Sequence, residues 1–322
     1  MTPERMAGNG NGEAAQETAL VPGISPMVYS KGDFLRIAEL ARVEAGIVLS
    51  ERKRMLAYSR LAPLVRRSGQ ATFAGYLDLI EQDPAEAMNA IAALTTNHTY
   101  FNREPHHFQH FEAEVRPALV RRAASGERVR MWSAGCSSGE EIWTLVMVLL
   151  GEDKAAGKRL ARGDIVTLAS DLSEEALASA RAATYPAEAL SALPERLRGN
   201  WTIPAPAALN TPANPATQGS GPAPSGGQGE RFTIGPEARA MVRFRQLNLL
   251  RPWPFRSLFD VIFCRNVMIY FDSAAKERLV LALARQLVPG GYLYIGHSER
   301  VSGEANALID PVGPTIYRRR AA

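Results

Sequence analysis

Cysteine is almost absent from this chain. Cys136 and Cys264 are the only two, they fall in separate strand-end segments, and neither belongs to a CxxC or Cys/His spacing. This excludes a disulfide framework and a zinc site, so no metal is expected. Adjacent His106 and His107 do not alter that, because neighbouring helical positions point about 100° apart and cannot easily chelate together. Long apolar runs are missing too. Nothing approaches the roughly 18 uninterrupted apolar residues of a membrane span, and the N-terminus has no apolar core of signal-peptide type. The expectation is a cytoplasmic chain without direct membrane insertion. Lys and Arg number 37 against 33 Asp and Glu, a net charge of only +4, with no basic block long enough to act as a nucleic-acid arm. No repeat is evident, and a monomer is the default.

What is present points to two domains. A chain of 322 residues with 46% hydrophobic composition can build two real cores. Residues 1–26 are rich in Gly, Ala, Asn and Glu without periodicity and read as a disordered tail. Residues 27–97 read as a helical domain. Phe34, Ile37 and Ala41 share a face, Asp33 can cap the start and Gly46 the end. Ser50 can cap a second helix carrying Met55, Leu56, Leu61, Leu64 and Val65. Asp83-Pro84-Ala85-Glu86 has the form of a capping box with proline at the first helical position.

Residues 98–110 read as a linker, and from 111 to 322 strands alternate with helices, the pattern of a mostly parallel α/β sheet. Strands are expected at Val129 to Trp132, Ile165 to Ala169, Val242 to Phe244, Val261 to Phe263, Tyr292 to Ile295 and Thr315 to Tyr317. Helices are expected at Ile142 to Leu150, Glu174 to Ala183 and after Asp272, the last stopped by Pro289-Gly290-Gly291. Seven strands are not quite reached. Residues 203–229 are dense in Pro, Ala, Gly, Asn and Ser, cannot offset their own ordering entropy, and read as a disordered insertion.

The chemistry-bearing segments follow the strands, where open α/β sheets bind ligands. After the first comes Ser133-Ala134-Gly135-Cys136-Ser137-Ser138-Gly139, small throughout, which admits a ligand close to the backbone. Glu140-Glu141 stands where a dinucleotide enzyme would hold phosphate, which favours a cationic, phosphate-free ligand such as S-adenosylmethionine. The same glutamates would also suit the positive end of a helix dipole. Asp171 follows the second strand, where an acid can accept both ribose hydroxyls; an N-cap role is the alternative, better suited to Ser173. Asn248-Leu249 follows the third, offering an amide to an adenine edge and an apolar face, or simply a turn. Arg265-Asn266 and Tyr270 follow the fourth, where a charge needs either a cleft or an ion pair.

These segments, with Asn97-His98-Thr99-Tyr100-Phe101-Asn102-Arg103-Glu104 before them, resemble in order and spacing the CheR family of chemotaxis-receptor glutamate methyltransferases. The resemblance runs from about Met27 to Arg320, leaving out the insertion. It implies a Rossmann-like, seven-stranded, mostly parallel S-adenosylmethionine-dependent methyltransferase domain joined to a small all-helical N-terminal domain. It further implies that Asn97, Thr99, Arg103, Gly135, Glu141, Asp171, Asn248, Leu249, Arg265 and Asn266 line the cofactor site. Arg103 and Tyr270 would then lie near the transferred methyl. Departures from the family pattern are Ile142-Trp143 for Pro-Tyr, Asn102 for Phe, Ser173 for a second Asp, and Ala183-Thr184-Tyr185-Pro186 for a Gly-Ile-Tyr turn. None removes an implied contact.

The implied reaction is attack of a receptor glutamate oxygen on the sulfonium methyl, giving a methyl ester and S-adenosylhomocysteine. A glutamate of pKa about 4.3 is already ionised at neutral pH and needs no general base. The second helix carries Arg52, Lys53, Arg54, Arg60, Arg66 and Arg67 against Glu51 alone. It would steer the acidic cytoplasmic domain of a methyl-accepting receptor, with Arg60 and Arg67 in contact, or else be an ordinary solvated helix. No strand–turn–strand pattern is legible in the insertion, so tethering of a receptor's C-terminal pentapeptide there is not expected. A non-catalytic S-adenosylmethionine-binding signalling module and a small-molecule methyltransferase are the competing readings.

Overall fold

The computed structural model describes residues 23–95, 97–206 and 230–321. The helical domain opens with α1 (Lys31–Ala45). The Ser30 hydroxyl accepts the Asp33 N–H and the Asp33 carboxylate accepts the Ser30 N–H, so Asp33 completes a capping box from the third helical position while Ser30 is the cap. Gly46, with φ 63°, ends the helix in the left-handed conformation. Ser50 makes no capping bond; a 3-10 turn, Glu51–Lys53, leads instead into α2 (Arg54–Arg67). Then come α3 (Phe73–Gln82) and α4 (Pro84–Leu94). Asp83 accepts from the Ala85 and Glu86 N–H groups. Glu86 does not reach back, because its carboxylate takes the Tyr76 hydroxyl and the Asn89 amide.

Phe34, Ile37, Leu61, Tyr76, Leu77 and Ile91 fill this domain's own core, against which Ile24 also packs. Order therefore begins before the expected boundary at 27; residues 1–22 of the expected tail lie outside the described residues.

The second domain is entered through α5 (Pro105–His110) and α6 (Arg116–Ala124). It continues with β1 (Val129–Ala134), α7 (Glu140–Leu150), α8 (Lys154–Leu160), β2 (Ile165–Asp171), α9 (Glu174–Ala182) and β3 (Thr184–Pro186). Next are α10 (Glu195–Trp201), β4 (Thr202–Pro204), β5 (Arg231–Ile234), α11 (Pro236–Ala240), β6 (Val242–Gln246) and β7 (Phe259–Cys264). The chain closes with α12 (Ser273–Gln286), β8 (Leu287–Ile295), β9 (Ile309–Gly313) and β10 (Ile316–Arg319).

The main sheet has seven strands in the order β6-β2-β1-β7-β8-β10-β9. The first five are parallel, and β10 runs antiparallel to both neighbours. The strand missing from the sequence pattern is β9, an outer strand whose residues 310–312 are all exposed and include Pro311, so it carries no alternation. Pro289-Gly290-Gly291 lies within β8, beside a register irregularity opposite Phe259 and Val261, so α12 ends at Gln286 without it. β7 is buried along its whole length, as expected for a strand covered on both faces. Chain order reverses direction at β1, with β2 on one side and β7 on the other, and the cleft opens beyond those carboxyl ends.

A second sheet, β3-β5-β4, is antiparallel. Ile203 and Pro204, expected to open the disordered insertion, belong instead to β4 and pair with Thr233 and Phe232. The ground for discounting a small sheet here therefore falls: its strands are three and four residues long, too short for periodicity to register. Residues 207–229 lie outside the described residues.

The two domains meet tightly. Val48 N–H donates to Tyr270 O (3.0 Å) and Ile47 pairs with Phe271, while Arg251 bridges to Glu44 at 2.6 Å. A Cβ on Gly46 would sit 2.5 Å from Leu250 Cδ1 in a left-handed backbone. Gly46→Ala is therefore expected to destabilise the protein by about 1–3 kcal/mol, read as a lowered thermal midpoint.

Candidate functional site

The cleft between the domains holds about 960 Å³, counting the part open to solvent. Asn97, Thr99, Arg103, Gly135, Glu141, Asp171, Asn248, Leu249, Arg265, Asn266 and Tyr270 all line it. Tertiary structure thus gathers into one cavity segments spread over more than half the chain. The sequence pattern did not flag Ala45 at the end of α1, Ile47 just beyond it, or Leu172, which also line the wall. Sequence carries no signal for the first two, since both are ordinary core residues of the helical domain.

Each loop is built to a purpose. Gly135 has φ 87°, and a Cβ there would stand 2.3 Å from Val267 Cγ2, so glycine lets the loops after β1 and β7 meet. Gly135 and Cys136 N–H both donate to Ser170 O, which folds the first loop over β2. Asp171 is buried; its two oxygens accept the Ser137 N–H at 2.8 Å and the Ser173 N–H at 2.9 Å. Burial raises its pKa, and those amide bonds oppose the rise. Ser173 supplies the α9 cap through Ala176 N–H. Ser137 Oγ donates to Asn97 O, tying this loop to the linker.

Asn248 has both ends of its amide engaged. Nδ2 donates to Glu44 O of α1 at 2.6 Å, and Oδ1 accepts the Leu250 N–H. It forms a turn and clamps the domains together while still facing the cleft.

Arg265 is the centre of the site. Its side chain is 1% exposed, with Nη1 3.2 Å from Glu141 Oε2 and Nη2 3.4 Å from Glu104 Oε2. Nη2 also donates to Arg103 O, and Phe108 and Phe263 stack about the guanidinium. Its charge is used in an ion-paired network, so of the two alternatives open in the sequence the salt bridge is realised at the edge of the cleft. Glu141 also accepts from Ser133 Oγ at 2.8 Å; burial pushes its pKa up and Arg265 pulls it back.

Glu104, which the sequence reading quoted but did not single out, accepts from Asn266 Nδ2 at 3.3 Å and stands 3.0 Å from His297 Nδ1. Burial opposes its charge, but Arg265, His297 and Asn266 outweigh burial and hold the carboxyl at about 2. Arg103 is partly exposed in the cleft, donates to His98 O and stacks on Tyr100. His107 is fully buried against Thr315 Oγ1 at 2.9 Å; it faces the protein interior. Among the described residues, no group of three His, Cys, Asp or Glu side chains is placed to hold a metal ion.

Arg60 and Arg67, paired in the sequence reading as receptor contacts, separate in the structure. Arg60 is partly buried, and its guanidinium donates to Leu94 O at 2.8 Å and to Thr95 O, capping the end of α4. Arg67 is exposed.

A family model for the CheR methyltransferase S-adenosylmethionine-binding domain matches residues 97–208 and 225–317, and one for the CheR all-alpha domain matches residues 32–95. The chain belongs to the CheR methyltransferase family. It is 38% identical to a probable chemotaxis protein methyltransferase of Rhizobium etli, over 85% of this chain and 95% of that one. It is 35% identical to the chemotaxis protein methyltransferase of Escherichia coli, over 94% and 96%. The domains of this CheR chain fall where the two models divide. The cleft also fits S-adenosylmethionine chemically: Glu141 and Asp171 line it and balance Arg103 and Arg265, so it presents no excess of positive charge against a sulfonium and an ammonium. Ile47, Leu172, Leu247, Leu249 and Phe271 give it an apolar wall.

The buried network gives this CheR domain an acid sensitivity. His107 is held neutral by burial and by Arg265, its pKa lowered to about 3. A lowered folded pKa contributes stability that is present above the unfolded value near 6.5 and is lost as pH falls toward the folded one. Glu104 adds a second loss, from about 4.5 down to its folded value. Urea unfolding at pH 7, 5 and 4 is expected to show stability declining at each step, and His107→Gln to flatten the slope between pH 6.5 and 5.

Proposed function

We propose that this chain transfers the methyl group of S-adenosylmethionine to glutamate side chains on the cytoplasmic domain of methyl-accepting chemotaxis receptors. The observation that carries this reading is the cleft itself. Every residue that the family pattern assigns to the cofactor lines it, Arg103 among them, and so does Tyr270. Asp171 would take the ribose, Asn248 and Leu249 the adenine, and Glu141 with the linker residues Asn97 and Thr99 the amino-acid end. S-adenosylmethionine supplies a methyl group on a positively charged sulfur.

The protein's share of the work is alignment and exclusion of water. A carboxylate nucleophile is ionised without help, which agrees with a cleft where, among the described residues, the one lining imidazole, His98, is exposed and offers its backbone carbonyl to Arg103. Arg103 would orient the incoming carboxylate. Pairing that was too strong would stabilise the ground state, so positioning is the role that speeds transfer. Tyr270 would shape the methyl channel; its backbone is held by Val48 of the other domain and Lys53 Nζ stands 5.7 Å from its ring centre. Such a chain acts in the cytoplasm and meets membrane receptor arrays through its substrate.

The test is incubation with methyl-labelled S-adenosylmethionine and a chemoreceptor cytoplasmic fragment from the same cell. Label released as methanol by alkali is expected, since only a carboxyl methyl ester behaves so. Cofactor binding with no transfer to any native receptor would favour a signalling module instead. Steering is tested separately: Arg67→Glu is expected to raise KM for the receptor several-fold at low salt, fading at high salt, with cofactor affinity unchanged.

A further inference from the structure

One buried carboxylate has no part in the site as described so far. Glu299 lies in the loop after β8, is 4% exposed and does not line the cleft. Three backbone N–H groups converge on it from two loops. Oε1 accepts Met268 N–H at 2.7 Å, and Oε2 accepts Gly296 N–H at 2.6 Å and Asn266 N–H at 3.2 Å. Met268 begins the single 3-10 turn, Met268–Tyr270, that delivers Tyr270 to the cleft.

Asn266 needs this support. It holds φ 60°, a left-handed conformation that persists only where the surroundings over-determine it. Its N–H goes to Glu299 and its Nδ2 to Glu104, so two carboxylates fix it from different directions. Space is matched as closely: a Cβ on Gly296 would stand 2.6 Å from Asn266 Nδ2 and 2.8 Å from Asn266 N.

We propose that Glu299 is the positioning residue that fixes the segment Asn266–Tyr270 at the transfer end of the cleft, with Gly296 as the surface against which Asn266 is set. The inference rests on the methyl-transfer reading above. A carboxylate suits the role because both oxygens only accept. A glutamine would present one oxygen and turn an NH₂ against an N–H donor, so one flip gives up the Met268 contact and the other gives up those of Asn266 and Gly296, and either way the Asn266–Tyr270 segment loses a tie. Asp171 and Asn248 approach the cleft from the β2 and β6 side and are untouched by such a release. Loss of alignment at the transfer end should therefore slow transfer far more than it weakens cofactor binding.

The experiment compares wild type, Glu299→Gln and Gly296→Ala for receptor methylation and for S-adenosylhomocysteine binding by calorimetry. Turnover is normalised to the bound stoichiometry, so that unfolded protein is not counted. Both variants are expected to lose at least about tenfold in kcat, as about 1 Å of misplacement does, with the product's Kd within about threefold of wild type. Wild-type kcat in Glu299→Gln, or a Kd that worsens in step with kcat in both variants, overturns the assignment. A wild-type chain that methylates no receptor fragment overturns the function on which it rests.

Discussion

The site depends on a guanidinium that has no route to water. Arg265, at the end of β7, is enclosed by Glu141 of α7, Glu104 and the Arg103 carbonyl of the linker, and two phenylalanine faces. Arginine cannot shed its charge by deprotonation, and breaking one partner of a buried pair leaves the other uncompensated, at about 3–5 kcal/mol. Linker, α7 and β7 are thus held to a single arrangement, and the loops that face the ligand inherit their positions from it. Glu104 extends the same constraint to Asn266 and His297.

This explains why the helical domain is more than an attachment. The end of α1 gives Ala45 and Ile47 to the wall of the cleft, and Gly46 leaves just enough room for Leu250. Asn248 and Arg251 return the contact through Glu44. A cofactor in the cleft would touch both domains, so its occupancy and the docking of the helical domain are linked as one equilibrium. The basic surface of α2 is then carried at a fixed distance from the cleft, as a chain that must align another protein's side chain requires.

Electrostatically the cleft sets carboxylates against arginines in equal number. Glu141 and Asp171 lie buried on its inner wall beside the ion-paired Arg265, and the partly exposed Arg103 stands among the groups that face solvent. On the proposed function, an incoming carboxylate would meet the positive charge of Arg103 first. For such a transfer the burden would fall on geometry and dryness more than on proton transfer.

Much of this was legible in the chain. Alternating strands and helices, small residues after β1, and polar groups placed after successive strands determined the sheet domain and its ligand-facing edge, because strand ends and turns obey local rules. The residues that only folding revealed obey none. β9 was hidden by exposure and β4 with β5 by brevity, while Arg60 looked like a surface cation until α4 supplied carbonyls for it. Ile47 and Glu299 act through neighbours more than 30 residues away. The sequence by itself determined which residues stand at the ends of the strands. Only the tertiary structure decided which of them face the cleft and which hold others there, because a buried charge takes its role from partners that chain order does not bring near it.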